Sequence, residues 1–410
     1  MVKIIKSLMG KTEEISFREL VNIPSTTYAT FGLYRYPAKF IPHVIAHILE
    51  NYAEPEMSVF DPFGGYGTVG TVAKIYGNDY EMWDLNPLLG ILHPISTMKP
   101  IVMDVENVIR EIKNTKEKFI PDWQRHQNWF KKEFLPFLYK VWGYYHSIND
   151  KKLKMVLTIP LLKTTRHFSY DDMQRQKLSK SKRSINRVEI LYSSNWQHLF
   201  FQMLEKEIKR VQKGQIEYQN LEPKNTKSVI KTGIDVMYEN LKEDKDILIT
   251  SPPYIQSQEY MRQAKLDLFW LGFSEEKIKK LSKLEIPYRN VEPCQIFSKT
   301  YEECLNHIKE EHIRKIFQRY FWCIISTFTR LQEKINSRMF IFVGHSSTRG
   351  RSTPIDIILI EHLSKFGWVH EKTLSDKIVS RRLFTYSVNP ASKLKDSRTS
   401  IENLVILKRL

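Results

Sequence analysis

Ser251-Pro252-Pro253-Tyr254 closes an apolar run, Asp246-Ile247-Leu248-Ile249-Thr250, that reads as a strand. The four residues are therefore expected on the carboxyl edge of a sheet, where open α/β folds take their ligands. The two prolines fix φ and remove two backbone donors, which leaves carbonyl oxygens free to accept. Such a loop suits an amine. An amino group conjugated to an aromatic ring is a poor nucleophile because its lone pair is delocalised into the ring. The Ser251 hydroxyl and the Pro252 carbonyl could accept its two hydrogens, steer the nitrogen toward tetrahedral geometry and aim its lone pair. Pro253 stiffens the loop, and Tyr254 offers a ring on which a planar substrate can stack. Taken alone, the same letters also describe a stiff loop or a polyproline-type ligand.

A second group of residues lies far upstream. Asp61-Pro62-Phe63-Gly64-Gly65-Tyr66-Gly67-Thr68 follows the apolar stretch Met57-Ser58-Val59-Phe60 and precedes a helical pattern from Val69 to Tyr76. Glycines in that place let the backbone turn tightly and approach a ligand closely. Asp84 ends the next strand-like stretch, Asp79 to Asp84, about 20 residues on, where a carboxylate can accept hydrogen bonds from ribose hydroxyls. The pair points to a nucleoside-containing cofactor. Spacing does not separate a dinucleotide from S-adenosylmethionine, but an acid beside the turn suits a cationic amino-acid moiety better than a pyrophosphate, which wants a free helix N-terminus. A tight structural turn is the plain alternative for this element by itself.

These residues need a scaffold. Helical spacing over Val44 to Glu50, strand, glycine turn, helix and strand make up one nucleotide-binding α/β unit. Strand character resumes at Asp246–Thr250 and Arg338–Gly344, and Ile401 to Leu407 reads as a last strand. Between them, from about 101 to 223, the chain is rich in Lys, Arg, Trp, Tyr and Phe without strand–helix alternation, which reads as an insertion. An amphipathic helix is expected from Gln197 to Val211. The expected organisation is a cofactor-binding half over 1–100, an inserted basic lobe over 101–224 and a catalytic half over 225–410.

The formal net charge of +17 points to a polyanionic partner, nucleic acid first, with a basic proteome or a Lys-rich solvated surface as the plain alternative, and 12% aromatic residues add ring faces for unstacked bases. Within the lobe, Arg175, Lys177, Lys180, Lys182, Arg183 and Arg187 form a basic, serine-interleaved run that we read as phosphate contacts; a solvated helix face is its plain alternative. Cys294, Cys304 and Cys323 lack metal-ligand spacing and leave one thiol over if paired, which suits a reducing cytoplasm. No stretch reads as a signal peptide or a membrane span, and no metal site is expected.

Together these motifs resemble the amino-methylating DNA methyltransferases, the N4-cytosine and N6-adenine group. The likeness covers roughly 34–95 and 225–385. Tyr36-Pro37-Ala38-Lys39-Phe40 resembles the segment closing that family's cofactor pocket, and Asp61 to Thr68 resembles its glycine motif. Trp83-Asp84-Leu85-Asn86-Pro87 resembles its ribose-binding strand end, Gly233-Ile234-Asp235 the motif whose acid approaches the cofactor adenine, and Ser251 to Tyr254 its catalytic loop. Tyr260-Met261-Arg262, Leu266 to Gly272, Val343-Gly344 and Thr348-Arg349-Gly350 continue the match.

The resemblance implies an α/β, Rossmann-like domain that binds S-adenosylmethionine and carries a large inserted, mainly helical basic lobe for target recognition. It implies methylation of duplex DNA, with a restriction endonuclease as a possible partner. Cofactor contacts would fall to Tyr36, Pro37, Lys39, Phe40, Asp61, Pro62, Phe63, Gly65, Gly67, Thr68, Asp84, Asn86 and Asp235. Ser at the head of the catalytic loop leans toward cytosine N4, since Asp is commoner in the adenine branch. Gly64 and Tyr66 occupy the motif's variable places, and His345-Ser346-Ser347 stands where a turn richer in Asp or Asn is usual. The alternatives are N6-adenine methylation, an RNA base methyltransferase, a protein-glutamine methyltransferase and a non-catalytic DNA-binding protein on a degenerate fold. Pro293-Cys294 imitates the nucleophile of cytosine-C5 enzymes, but it follows no apolar strand and lacks flanking glycines.

Overall fold

The computed structural model describes residues 10–37, 39–175, 177–255, 259–348, 351–377 and 401–410. Ala38, Gln176, Arg349, Gly350 and the 378–385 end of the resemblance lie outside them. The α/β part opens with β1 (Lys11–Ile15), α1 (Pro42–Tyr52), β2 (Ser58–Asp61), α2 (Thr68–Tyr76), β3 (Asp79–Asp84) and α3 (Leu89–Thr97). Among the described residues the α-helices α4 (Val105–Asn114), α5 (Leu135–Ser147), α6 (Lys151–His167), α7 (Lys182–Tyr192) and α8 (Trp196–Gln219) follow. The chain then returns to β4 (Ser228–Thr232), β5 (Lys245–Thr250), α9 (Tyr260–Trp270), α10 (Glu275–Ser282), α11 (Lys299–Asn306), α12 (Glu311–Leu331) and β6 (Ile335–Gly344). It ends with a hairpin, β7 (Ser346–Thr348) and β8 (Arg351–Thr353), then α13 (Ile355–Leu363), β9 (Trp368–Lys377) and β10 (Ile401–Arg409).

Among the described residues eight strands form one sheet in the order β1-β9-β10-β6-β5-β2-β3-β4, parallel throughout except for β10, which runs antiparallel to both neighbours. This is a Rossmann-like α/β fold. From β2 the chain steps outward to β3 and β4, and from β5 it steps the other way to β6. The order therefore reverses between β2 and β5, which is where a doubly wound sheet opens a crevice at its carboxyl edge.

Central strands read as continuous apolar runs because both of their faces are covered. Ile247 and Ile249 of β5 pack with Val44, Ile45 and Ile48 of α1 and Val69 and Val72 of α2. Leu248 between them points the other way, into Phe321, Ile324 and Phe328 of α12 and Ile358 and Leu359 of α13. A two-residue period thus feeds two cores, and a one-residue slip would exchange them.

Between β3 and β4 the described residues contain helices and no strand apart from one isolated bridge, Phe130 to Ser169. Their core holds Trp142, Phe168, Phe200 and Leu204, and it runs on into Leu88 and Leu92 beside α3 and Phe269 and Trp270 of α9. One buried cation ties this helical segment to α9. Arg166, at the end of α6, donates through Nη1 to Asp171 at 3.1 Å, through Nε to Asp267 of α9 at 3.2 Å and through Nη2 to the Gln263 carbonyl at 2.8 Å. The Tyr34 hydroxyl donates to the same Asp267. A guanidinium with every edge engaged tolerates burial, whereas removing either carboxylate partner would strand a charge. Among the described residues no helix is long and apolar enough to cross a membrane, and no group of three His, Cys, Asp or Glu could hold a metal.

Candidate active site

β2 and β5 end side by side, and their ends are hydrogen-bonded to each other. The Thr250 hydroxyl, last residue of β5, donates to Asp61 Oδ1 at 2.7 Å, and the Phe63 amide donates to the same oxygen at 3.0 Å. Asp61 is 2% exposed, and burial pushes its carboxyl up to about 7 against these two bonds, which lower it. The glycine turn then wraps toward β3. Gly64 donates to the Trp83 carbonyl at 2.8 Å, and Gly65 donates to Asp84 Oδ2 at 2.7 Å. Asn86 closes the other side of Asp84, donating its amide to Oδ1 at 2.6 Å. Burial raises Asp84 to about 6 even so.

The turn's two positive-φ glycines do different work. Gly65 (φ +52°) faces the cavity, where an added Cβ would stand 3.2 Å from the Tyr36 ring. Gly67 (φ +87°) begins α2, and a Cβ there would meet His93 at 2.8 Å, so its constraint is packing.

One cavity joins these parts. Its lining includes Tyr36, Pro37, Lys39 and Phe40 from the segment before α1, and Asp61, Phe63, Gly65 and Thr68 from the turn. Asp84 and Asn86 line it after β3, Asp235 after β4, and Ser251 and Pro253 after β5. Pro62, Gly67, Pro252 and Tyr254, also singled out from the sequence, do not line it. Among the described residues the Ser251 hydroxyl and the Pro252 carbonyl make no hydrogen bond, while the Pro253 carbonyl accepts from Tyr320 of α12 at 2.9 Å. The Tyr254 hydroxyl donates to Glu402 of β10 at 2.7 Å, and burial with that carboxylate keeps the phenol protonated. The downstream ring that does line the cavity is Tyr260, whose face lies 6.3 Å from that of Tyr36 at an interplanar angle of 27°.

Sequence reasoning also missed Glu285, Ile286 and Arg289, which line the cavity from the stretch after α10. Glu285 accepts from the Met261 amide at 2.9 Å, and burial raises it to about 7. No local pattern marks that coil, and only its packing against α9 and β4 brings it to the site. Asp61, Asp84 and Glu285 give the cavity an acidic lining that a cation would relieve. Lys39 turns its ammonium to the Phe31 carbonyl, and burial lowers it to about 8.

The basic segment is distributed unevenly. Arg187 is half-buried and donates to the carbonyls of His167 at 3.0 Å, Ser169 at 2.7 Å and Asp171 at 2.8 Å, a structural use. Lys177 pairs with Glu259, the residue before α9, at 3.0 Å. Arg175 lies 3.5 Å from Asp172, and Lys180 sits over the rings of Tyr170 and Trp129 at 5.0 and 5.6 Å. Lys182 and Arg183 are exposed on α7. Cys294 is half-buried against the Trp322 carbonyl and lies outside the cavity lining. His345 donates to Asp356 at 2.9 Å, and that bond raises the imidazole.

No family model matches the chain. It is 24% identical over 423 aligned positions, covering 93% of this chain and 91% of the other, to the type II methyltransferase M.MvaI of Kocuria varians. Among solved structures, the rRNA methyltransferase aviRa of Streptomyces viridochromogenes aligns over 96% of both chains at 11% identity, with a TM-score of 0.32. At that score the fold stands on the chain's own strand order.

Proposed function

We propose that this chain transfers the methyl group of S-adenosylmethionine to the exocyclic N4 of cytosine in duplex DNA. The observation that carries the reading is that Ser251 and most residues of the Asp61–Thr68 turn line one cavity at the point where the strand order reverses. Full-length similarity to a protein named a type II methyltransferase agrees with it. The same similarity motivates a restriction-modification setting with a cognate endonuclease.

The residues present fit that cofactor. Asp84 ends β3 with one N–H on each carboxylate oxygen, which leaves lone pairs for ribose hydroxyls. The buried Thr68 hydroxyl has no partner among the described residues, and Asp61 lies on the same turn, so the two match a charged amino-acid end. When bound, S-adenosylmethionine supplies a methyl group activated by a sulfonium. The chain's own work is to hold a base amine against it.

An amino group inside a duplex is out of reach, so the base is extruded into the cavity, where Tyr260 supplies a ring face. Ser251 Oγ and the Pro252 carbonyl accept the two amino hydrogens, which localises the nitrogen lone pair. Asp61 holds Thr250 and so fixes the residue before Ser251. Exposed Lys182 and Arg183 contact phosphates.

Labelled S-adenosylmethionine offered with duplex DNA, single-stranded DNA and tRNA tests the proposal. Label entering the duplex, and doing so more slowly with Ser251→Ala, is the expected outcome. Label entering only tRNA, or an undiminished Ser251→Ala rate, would refute it.

A further inference from the structure

Asp235 and Arg289 meet on the wall of the cavity that lies beyond Asp84, on the β4 side. Arg289 Nη1 and Nη2 donate to Asp235 Oδ1 and Oδ2 at 2.5 and 2.8 Å, a two-pronged bond that fixes the planes of both groups. Arg289 is 5% exposed, and its Nε is buried with no hydrogen-bond partner among the described residues. A guanidinium N–H left unpaired in a buried place is costly unless a ligand accepts it. Around the pair the lining is apolar, with Phe63, Val236 and Ile286.

The wall therefore carries a charged acceptor, Asp235, and on the guanidinium bound to it a charged donor, the Arg289 Nε–H. Adenine presents the complement along its 6-amino edge: an N–H donor beside a ring-nitrogen acceptor. The order of the sheet puts the pair where an adenine belongs, because Ser251, the glycine turn, Asp84 and Asp235 follow β5, β2, β3 and β4 in spatial sequence.

We infer that Arg289 reads the cofactor's adenine jointly with Asp235, donating Nε–H to a ring nitrogen while orienting the carboxylate that accepts from the 6-amino group. The inference rests on the proposed use of S-adenosylmethionine. It assigns a binding role to a residue in a coil that no motif marks.

Calorimetric binding of S-adenosylhomocysteine and of its 6-oxo analogue, S-inosylhomocysteine, tests it without any turnover. Hypoxanthine reverses donor and acceptor along that edge, so the intact protein is expected to prefer the adenine form by about 100-fold. Arg289→Met is expected to lose most of that preference along with affinity for the adenine form. Arg289→Lys keeps the charge without the planar fork; it is expected to retain the thermal midpoint and still lose preference. Arg289→Lys with undiminished preference would overturn the inference and leave the cofactor reading standing. Failure of the intact protein to bind S-adenosylhomocysteine would overturn both.

Discussion

The two parts of the molecule expected to touch ligand, the cavity at the sheet edge and the basic run in the helical lobe, relate to their sequences differently. In the cavity, residues chosen by type and spacing converge, because strand end, turn and next strand end are neighbours in the chain and a parallel sheet sets them side by side. In the lobe, six basic residues chosen by charge scatter into separate uses: Arg187 binds three backbone carbonyls, Lys177 and Arg175 each face an acid, Lys180 lies over two rings, and Lys182 and Arg183 stand exposed on their helix. A motif carries its geometry with it, whereas a charge run carries only a sign.

The largest effect that could break this contrast is at Asp84. Asp84→Ala should weaken S-adenosylhomocysteine binding about 100-fold by calorimetry, since a charged acceptor is lost from a dry site. An unchanged affinity would put the ligand elsewhere.

Ser251→Ala should lower kcat about 10- to 100-fold and leave cofactor affinity unaltered, because its hydroxyl is reserved for the base. Cofactor affinity falling in parallel would make Ser251 a part of the cofactor wall instead.

Within the lobe the contrast sharpens. Arg187→Ala should cost about 1–3 kcal/mol of stability in denaturant unfolding, since three carbonyls lose their donor. It should leave the salt dependence of DNA binding as it was. Lys182→Ala and Arg183→Ala should do the reverse, each reducing the slope of log affinity against log salt by about 0.9. Equal behaviour of the three variants would erase the distinction drawn between them.

The smallest effect concerns protons. Burial raises the Asp61 carboxyl to about 7, so the folded chain holds a proton that the unfolded chain has released above its ordinary carboxylate range near ~4. That contribution is complete below the unfolded value and is lost as pH rises through about 7. Buried histidines such as His93, lowered to about 4, act in the opposite sense, so a difference measurement is needed. The thermal midpoint of Asp61→Asn relative to the parent should rise from about pH 5 to about pH 8. A flat difference would mean that Asp61 is ionised throughout.

Much of the sheet was legible from letters alone. The run ending at Thr250 and the final strand announce themselves by their unbroken apolar stretches, Ile247–Ile249 and Leu404–Leu407, and Asp79–Asp84 by its place after the glycine turn and helix. β9 did not, since Trp368-Val369-His370-Glu371-Lys372 mixes charge into a strand near the sheet's edge; β4, at the edge itself, is short and solvated. The cavity's near wall was legible for the same local reason as the glycine turn. Its far wall was not: Glu285 and Arg289 reach the site only through tertiary packing, and Tyr254, chosen as a platform, has its hydroxyl drawn to Glu402 on a strand 148 positions away.

The most direct test of the account is the identity of the modified nucleoside. Duplex DNA methylated by the intact chain with labelled S-adenosylmethionine, digested to nucleosides and separated by chromatography, should carry its label in N4-methylcytosine. Label in N6-methyladenine would keep the chemistry and correct the base. Label in 5-methylcytosine would contradict the account, because a ring carbon needs a thiolate nucleophile and the cavity is lined by none.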